Sequence, residues 1–161
     1  MAKTLLVLRH GKSRWDQPVD DHDRGLKKRG KRDTLRMGRE IRERNLLPDA
    51  IFSSTAKRAR RTAQRVAESA SFSEEIVMTR DLYFKGVEPH LVVISGASDS
   101  CQRVMVVGHN PDMEDLIEEL TGEFVTMPTC ALACIQFEIE SWNEVTDAQG
   151  KVQLVLRPRD L

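Results

Sequence analysis

Apolar and polar positions along the chain follow two alternating periods. Thr4–Leu8 ("TLLVL") is a continuous apolar, leucine-rich run of strand length. Lys31–Arg44 reads as a charged helix with a narrow stripe at Leu35, Gly38 and Ile41, ended by Asn45 and then Pro48. Ala50–Ser53 is a short strand. Ala56, Ala59, Ala63, Val66, Ala67 and Ala70 then repeat at helical spacing and predict a helix over Ala56–Ala70. Ile76–Thr79 reads as a strand and Glu88–Ser95 as a helix, although "LVVIS" also suits a strand. Arg103–Val107 ("RVMVV") is a buried strand, and Met113–Leu120 a helix beginning behind Pro111. The C-terminal third offers two strands, Cys130–Ile139 and Lys151–Leu156, joined by a polar, hairpin-like turn around Asp147 and Gly150.

A β-α-β-α alternation predicts an α/β fold: a three-layer α/β/α arrangement with a mostly parallel sheet and helices on both faces. The final strand pair, with its short link, is where an antiparallel member belongs. At 161 residues the chain is expected to be a single domain, residues 1–161, large enough to bury a core without disulfides.

Composition narrows the setting. With 31% charged and 40% apolar residues the chain is of the folded class, not the disordered one. No run approaches eighteen apolar residues, which predicts no membrane span. Met-Ala-Lys leads straight into the first strand, so no signal or transit peptide is expected. Cys101, Cys130 and Cys134 are odd in number and lack CxxC spacing, so a disulfide framework is not expected and a reducing, cytoplasmic location is.

Net charge is zero, yet residues 1–80 carry 20 Lys and Arg against 11 Asp and Glu, and residues 81–161 carry 5 against 14. Such asymmetry can mark a nucleic-acid surface. Here many arginines stand beside acids at helical i,i+4 spacing, as in Arg36–Glu40, Arg39–Glu43 and Glu40–Arg44, so a solvated helix face is the better reading and no nucleic-acid partner is expected. The sequence is silent on oligomeric state.

In an open parallel sheet, ligands sit beyond the carboxyl ends of the strands. Arg9, His10 and Gly11 follow the first strand; "STAKRARRTA" follows the second and puts Arg58 in the first turn of a helix; Gly108, His109, Asn110 and Pro111 follow "RVMVV". Two arginines and two of the four histidines thus collect at one edge, where helix N-termini add N–H donors. Singly, His10 is a satisfied histidine, Arg58 a solvated helix residue and His109 a turn residue; jointly they predict an anion pocket suited to phosphate.

"VLRHGKSRW" resembles the RHG signature of the histidine phosphatase superfamily, relatives of phosphoglycerate mutase. "SSTAKRARRTA" and "VVGHNPDMEDL" are similar to that superfamily's second and third blocks, and "DHDRGLKKRG" to the D-R-P-L-T-x-x-G stretch after the first. The small SixA-type phosphohistidine phosphatases are the nearest resemblance, sharing "MPTCALA" and roughly this length; the match runs from Leu5 to about Ala133. The resemblance implies a phosphoglycerate mutase-like fold and a phosphatase that works through a phosphohistidine intermediate. His10 would be the nucleophile, with Arg9, Arg58 and His109 around the phosphoryl oxygens. A neutral imidazole can attack in line while fixed cations meet the developing charge. Gly11 would let the backbone pass close to the phosphate, and Ser13 and Asn110 would be further substrate-binding donors. No metal and no cofactor is implied.

Departures from the pattern inform the substrate. Thr55 stands where proline is usual and Arg61 where glutamine is usual, both outside the four core positions. Larger relatives carry a carboxylic general acid in an L-x-E-x-x-F-G stretch; here the region reads "DLYFKGVEP", with Phe84 and Lys85 near that position and Asp81 and Glu88 out of register. A missing acid penalises ordinary phosphomonoesters, whose alkoxide must be protonated as it leaves. A phosphoramidate nitrogen can leave already protonated. The long insertions that close over small sugar phosphates are also missing, so phosphohistidine on another protein is the expected substrate. The alternatives are a small phosphorylated substrate (sugar, nucleotide or cofactor phosphate) with Glu88 or Asp81 as acid, and a non-catalytic phospho-ligand binder. A mutase fits less well, because it needs a closed pocket.

Overall fold

The structure, a computed structural model, describes residues 2–161. Its strands are β1 (Ala2–Arg9), β2 (Ala50–Ser54), β3 (Val77–Thr79), β4 (Arg103–Gly108), β5 (Leu132–Glu138) and β6 (Lys151–Leu156). They form one sheet in the order β3-β2-β4-β1-β5-β6. The helices are α1 (Lys28–Glu43), α2 (Lys57–Ala70), α3 (Val87–Ser95) and α4 (Asp112–Thr121). No helix among the described residues is long and apolar enough to cross a membrane.

Strand β1 lies between β4, its parallel partner from Thr4↔Arg103 to Arg9↔Gly108, and β5, which runs antiparallel to it. Leu5, Leu6, Val7 and Leu8 are all fully buried, as an unbroken apolar run must be when both sheet faces are covered. The pleat sends Leu5 and Val7 to a core with Leu91 and Ile94 of α3 and Leu116 and Ile117 of α4. Leu6 and Leu8 go to the opposite core, with Met37 and Ile41 of α1 and Ala59 and Ala63 of α2. The expected three layers and both-faced covering are therefore present. The four strands β3, β2, β4 and β1 are mutually parallel, and β5 is antiparallel to β1 and β6.

Several elements differ from the sequence reading. Helix α1 begins three residues early, and its buried face is Gly30, Asp33, Thr34, Met37, Gly38 and Ile41; Leu35 lies on the shoulder and is exposed. The rotation has a cause at Gly38, where a Cβ would come within 2.6 Å of Ser69 Cβ and 2.7 Å of Val66 O, so α1 and α2 cross in direct backbone contact there. Of the three i,i+4 pairs expected, Glu40–Arg44 forms at 3.5 Å, whereas Arg36 turns to Asp33 and to the carbonyl of Leu161. "LVVIS" is helical, within α3. Strand β5 is shorter than Cys130–Ile139, since Cys130 takes a left-handed φ of 62° before it.

The link from β5 to β6 is not a polar hairpin turn. It holds a 3-10 helix, Trp142–Asp147, opened by a Ser141/Glu144 capping box. Trp142 and Val145 are buried in the α3/α4-side core, and Trp142 Nε1 donates to Cys101 O at 2.8 Å. Two apolar residues three apart were enough to fold the link inward.

Candidate active site

Because β1, β2 and β4 are parallel, their carboxyl ends open on one edge. Arg9 closes β1 and His10 follows it, His10 N–H donating to Gly108 O at 3.0 Å. His109 follows β4, and Arg58 is the second residue of α2. The rings of His10 and His109 lie 5.1 Å apart, centroid to centroid. The edge thus brings the four core residues together.

His10 is buried, and its Nδ1 is 2.7 Å from Gly11 O. A carbonyl oxygen only accepts, so Nδ1 carries the proton and the lone pair is on Nε2. Burial, reinforced by the charges of Arg58, Arg9 and Arg24, pushes the His10 pKa down to about 3. His109 is pushed down to about 2 by burial, by His10 and by Arg58, and its Nε2 lies 2.8 Å from Ser54 Oγ. Both imidazoles are therefore neutral near pH 7.

Three guanidinium groups surround them. Arg9 Nη1 donates to Met127 O at 3.1 Å; Arg58 donates through Nη1 to Asp21 O at 2.7 Å and through Nη2 to Asp21 Oδ2 at 2.9 Å. Arg24 donates to Ser13 Oγ and, at 3.0 Å, to Asp21 Oδ1. The Nε–H of Arg9, Arg24 and Arg58 is in each case buried without a partner among the described residues. A buried donor left unmade costs on the order of 1–3 kcal/mol, so three of them on guanidinium groups whose charges act on His10 point to an anion site.

Asp21 ties this frame together. Tyr83 donates its hydroxyl to Asp21 Oδ2 at 2.5 Å. Partial burial works against its charge, but hydrogen bonds from Tyr83, Arg24 and Arg58 outweigh it and hold the carboxyl well below the usual carboxylate range. Two carboxylates, Asp21 and the Glu114 whose charge acts on Arg9, against three guanidinium groups leave the pocket positive.

The remaining expected residues buttress the pocket. Gly11 N–H donates to Thr62 Oγ1 at 2.9 Å, and a Cβ at Gly11 would come within 3.1 Å of Gly30 O, so its small size serves the packing of α1. Ser13 Oγ accepts from Arg24. Asn110 Nδ2 donates to Glu114 Oε2 at 3.1 Å and to Met127 O at 2.9 Å. Neither candidate acid reaches the histidines: Glu88 is exposed, and Asp81 pairs with Lys85 at 3.7 Å. Instead Phe84, at a left-handed φ of 53°, sets its ring 4.5 Å from that of His109. Sequence reasoning passed over Arg24, Asp21, Tyr83, Ser54 and Thr62; the first two lie within "DHDRGLKKRG". Among the described residues no group of three or more His, Cys, Asp or Glu is placed to hold a metal ion. The three cysteines are unpaired, and burial raises the Cys134 thiol to about 12 and Cys130 further.

Comparison with known proteins gives this pocket its relatives. Residues 5–83 match the family model for the histidine phosphatase superfamily (branch 1), a span that includes Arg9, His10, Arg24 and Arg58. A candidate phosphohistidine phosphatase SixA from Agrobacterium tumefaciens superposes with a TM-score of 0.83 at 30% identity, covering 97% of this chain and 98% of its own. The chain belongs to the histidine phosphatase superfamily. Another candidate SixA, from Nakamurella multipartitia, superposes with a TM-score of 0.86 at 26% identity over 98% of this chain and 97% of its own. A 2,3-bisphosphoglycerate-dependent phosphoglycerate mutase of Bartonella henselae is 31% identical over 83 residues, 49% of this chain and 40% of that mutase, so the chain spans under half of that relative. The superfamily match stops at Tyr83, and His109, which follows β4, lies outside it.

His10 and His109 also set a pH dependence. Their folded pKa values lie below the unfolded value of 6.5, so below that pH the unfolded chain binds protons that the folded one does not. Stability therefore falls as pH falls, by on the order of 2 kcal/mol per histidine between pH 6.5 and 5. Asp21, also depressed, adds to the loss below the ordinary carboxylate range. Urea unfolding at pH 7, 6 and 5 should show a midpoint that declines steadily, and a flat profile would mean that these imidazoles are not buried neutral.

Proposed function

We propose that this protein is a phosphohistidine phosphatase acting on another protein, by way of a covalent phosphohistidine on His10. His10 Nε2 attacks phosphorus in line as the substrate's P–N bond breaks, with Arg9, Arg24 and Arg58 donating to the phosphoryl oxygens. The departing imidazole leaves neutral, its other ring nitrogen already protonated. Water then attacks phospho-His10, releasing phosphate and restoring the neutral imidazole. The proposed route runs through these side chains and calls for no metal. A reducing cytoplasm suits the three unpaired cysteines.

The observation that carries the reading is Phe84. A phenyl ring stands against His109, while Asp81 and Glu88 are at the surface. Asp21, whose charge acts on His109, is ionised and cannot give a proton. An alkoxide would leave unprotonated, whereas a phosphoramidate nitrogen needs no such donor.

A turnover screen tests it: a phosphohistidine protein, phosphoramidate, p-nitrophenyl phosphate and an alkyl phosphate. Phosphoramidates should exceed the alkyl ester in kcat/KM by about 10²- to 10⁴-fold, the usual worth of a general acid. Aryl esters should fall between them, and Glu88→Gln and Asp81→Asn should leave phosphoramidate turnover unchanged. Equal rates on the alkyl ester, lost selectively in Glu88→Gln, would make Glu88 the acid and the protein a small-molecule phosphatase.

A further inference from the structure

The segments flanking the pocket present apolar surface to solvent. Trp15 is 71% exposed, Phe84 47% and Val19 46%; Trp15 and Val19 belong to the loop that carries Asp21, and Phe84 follows Tyr83. Their link to the pocket is direct. Phe84 lies against His109, and the Arg24 guanidinium stacks 3.6 Å over the Trp15 ring while bonding Asp21. An exposed tryptophan held by a partly buried arginine keeps its apolar area at little entropic cost, the makeup of an interface anchor.

Behind the same loop lies a cleft of about 500 Å³ lined by Arg14, Lys31, Lys57, Arg61 and Arg65, with Glu68 its one acid. The loop between β1 and α1 is balanced only as a whole, with Lys12, Arg14, Arg24 and Lys27 against Asp16, Asp20, Asp21 and Asp23; Asp16 pairs with Arg14 and Asp21 with Arg24 and with Arg58 of α2. The charge excess of the first half of the chain therefore lies in α1, α2 and the cleft between this loop and α2. Five of the fourteen acids of the second half lie on α4, across the sheet, where Asp112, Glu114 and Asp115 occupy one turn.

We infer that Trp15, Val19 and Phe84 with the adjoining basic cleft form a docking surface for an acidic protein, the one that carries the phosphohistidine. This deepens the proposed function and rests on it. Phe84 against His109 and Trp15 against Arg24 supply the anchors. The cleft supplies complementary charge, which acts on encounter and selects against basic partners.

The test compares two substrates in wild type, Trp15→Ala and the Lys31→Glu/Arg61→Glu double variant. One is an acidic histidine-phosphotransfer domain phosphorylated chemically; the other is phosphoramidate alone. Trp15→Ala should raise KM for the domain by about tenfold or more, an anchor's typical share of binding. The double variant should do likewise and flatten the salt dependence, and neither should alter phosphoramidate turnover. An unchanged KM for the domain overturns the inference while leaving the proposed function standing. Equal losses on both substrates also overturn it, because Trp15 then acts through Arg24 on the pocket. Failure of wild type to dephosphorylate the domain at all, with phosphoramidate still turned over, removes the protein-phosphohistidine reading and the inference with it. A single-stranded oligonucleotide that displaces the domain would reassign the cleft to nucleic acid.

Discussion

His10→Ala is expected to abolish turnover of every substrate while the far-ultraviolet circular dichroism stays that of the wild type. The geometry makes the loss steep. The backbone carbonyl of Gly11, 2.7 Å from Nδ1, fixes the tautomer that leaves Nε2 as the base, and the low pKa keeps that lone pair available at any working pH. Alanine removes the covalent step; the adjacent His109 has Nε2 engaged with Ser54 Oγ at 2.8 Å and Nδ1 without a partner among the described residues. Losses on the order of 10⁴-fold or more accompany removal of a nucleophile in other enzymes. The fold should persist, because the His10 backbone bonds to Gly108 O and from Cys130 N do not involve the ring. Rapid-quench trapping of acid-labile label on wild type and not on the variant is the companion measurement. A variant retaining a tenth of the wild-type rate would remove His10 from the role.

Much of this pocket could be read in the chain because the chemistry sits at strand ends, and strand ends follow from hydrophobic pattern. Arg9, His10 and His109 abut unbroken apolar runs, and Arg58 abuts a run of small residues at helical spacing. Positions that depend on a crossing of backbones were not legible. Leu35 looked inward by spacing, but the contact of Gly38 with Ser69 turns α1 so that Met37 is buried instead. Asp21, Arg24 and Tyr83 lie in stretches with no period, and only the fold brings residue 21 to within 2.5 Å of the Tyr83 hydroxyl, 62 residues away. Ser13 and Asn110 show the reverse. Their types suit phosphate binding, yet Arg24 and Glu114 engage them first.

Arg58→Lys separates charge from shape. The guanidinium of Arg58 uses one edge on Asp21, through Nη1 to the carbonyl and Nη2 to the carboxylate, and keeps a buried Nε–H without a partner among the described residues, while its charge acts on His10. A lysine ammonium is a point charge; it can meet Asp21 or an anion near His10, but it cannot present two fixed edges at once. We expect kcat/KM to fall by about 10²- to 10³-fold, as when one preorganised donor to a developing charge is lost. Inhibition by inorganic phosphate should weaken in parallel. Asp21→Asn supplies the control, because it keeps the Arg58 fork while removing the charge that holds it. If Arg58 serves mainly to fix the Asp21 loop, Asp21→Asn should cost as much as Arg58→Lys and the double variant no more than either. If Arg58 meets the phosphoryl group, Arg58→Lys should be the far more damaging change, with Asp21→Asn showing a milder loss from a looser arginine. Unchanged kinetics in Arg58→Lys would make the residue a structural clamp alone and leave Arg9 and Arg24 as the cations that meet the phosphate.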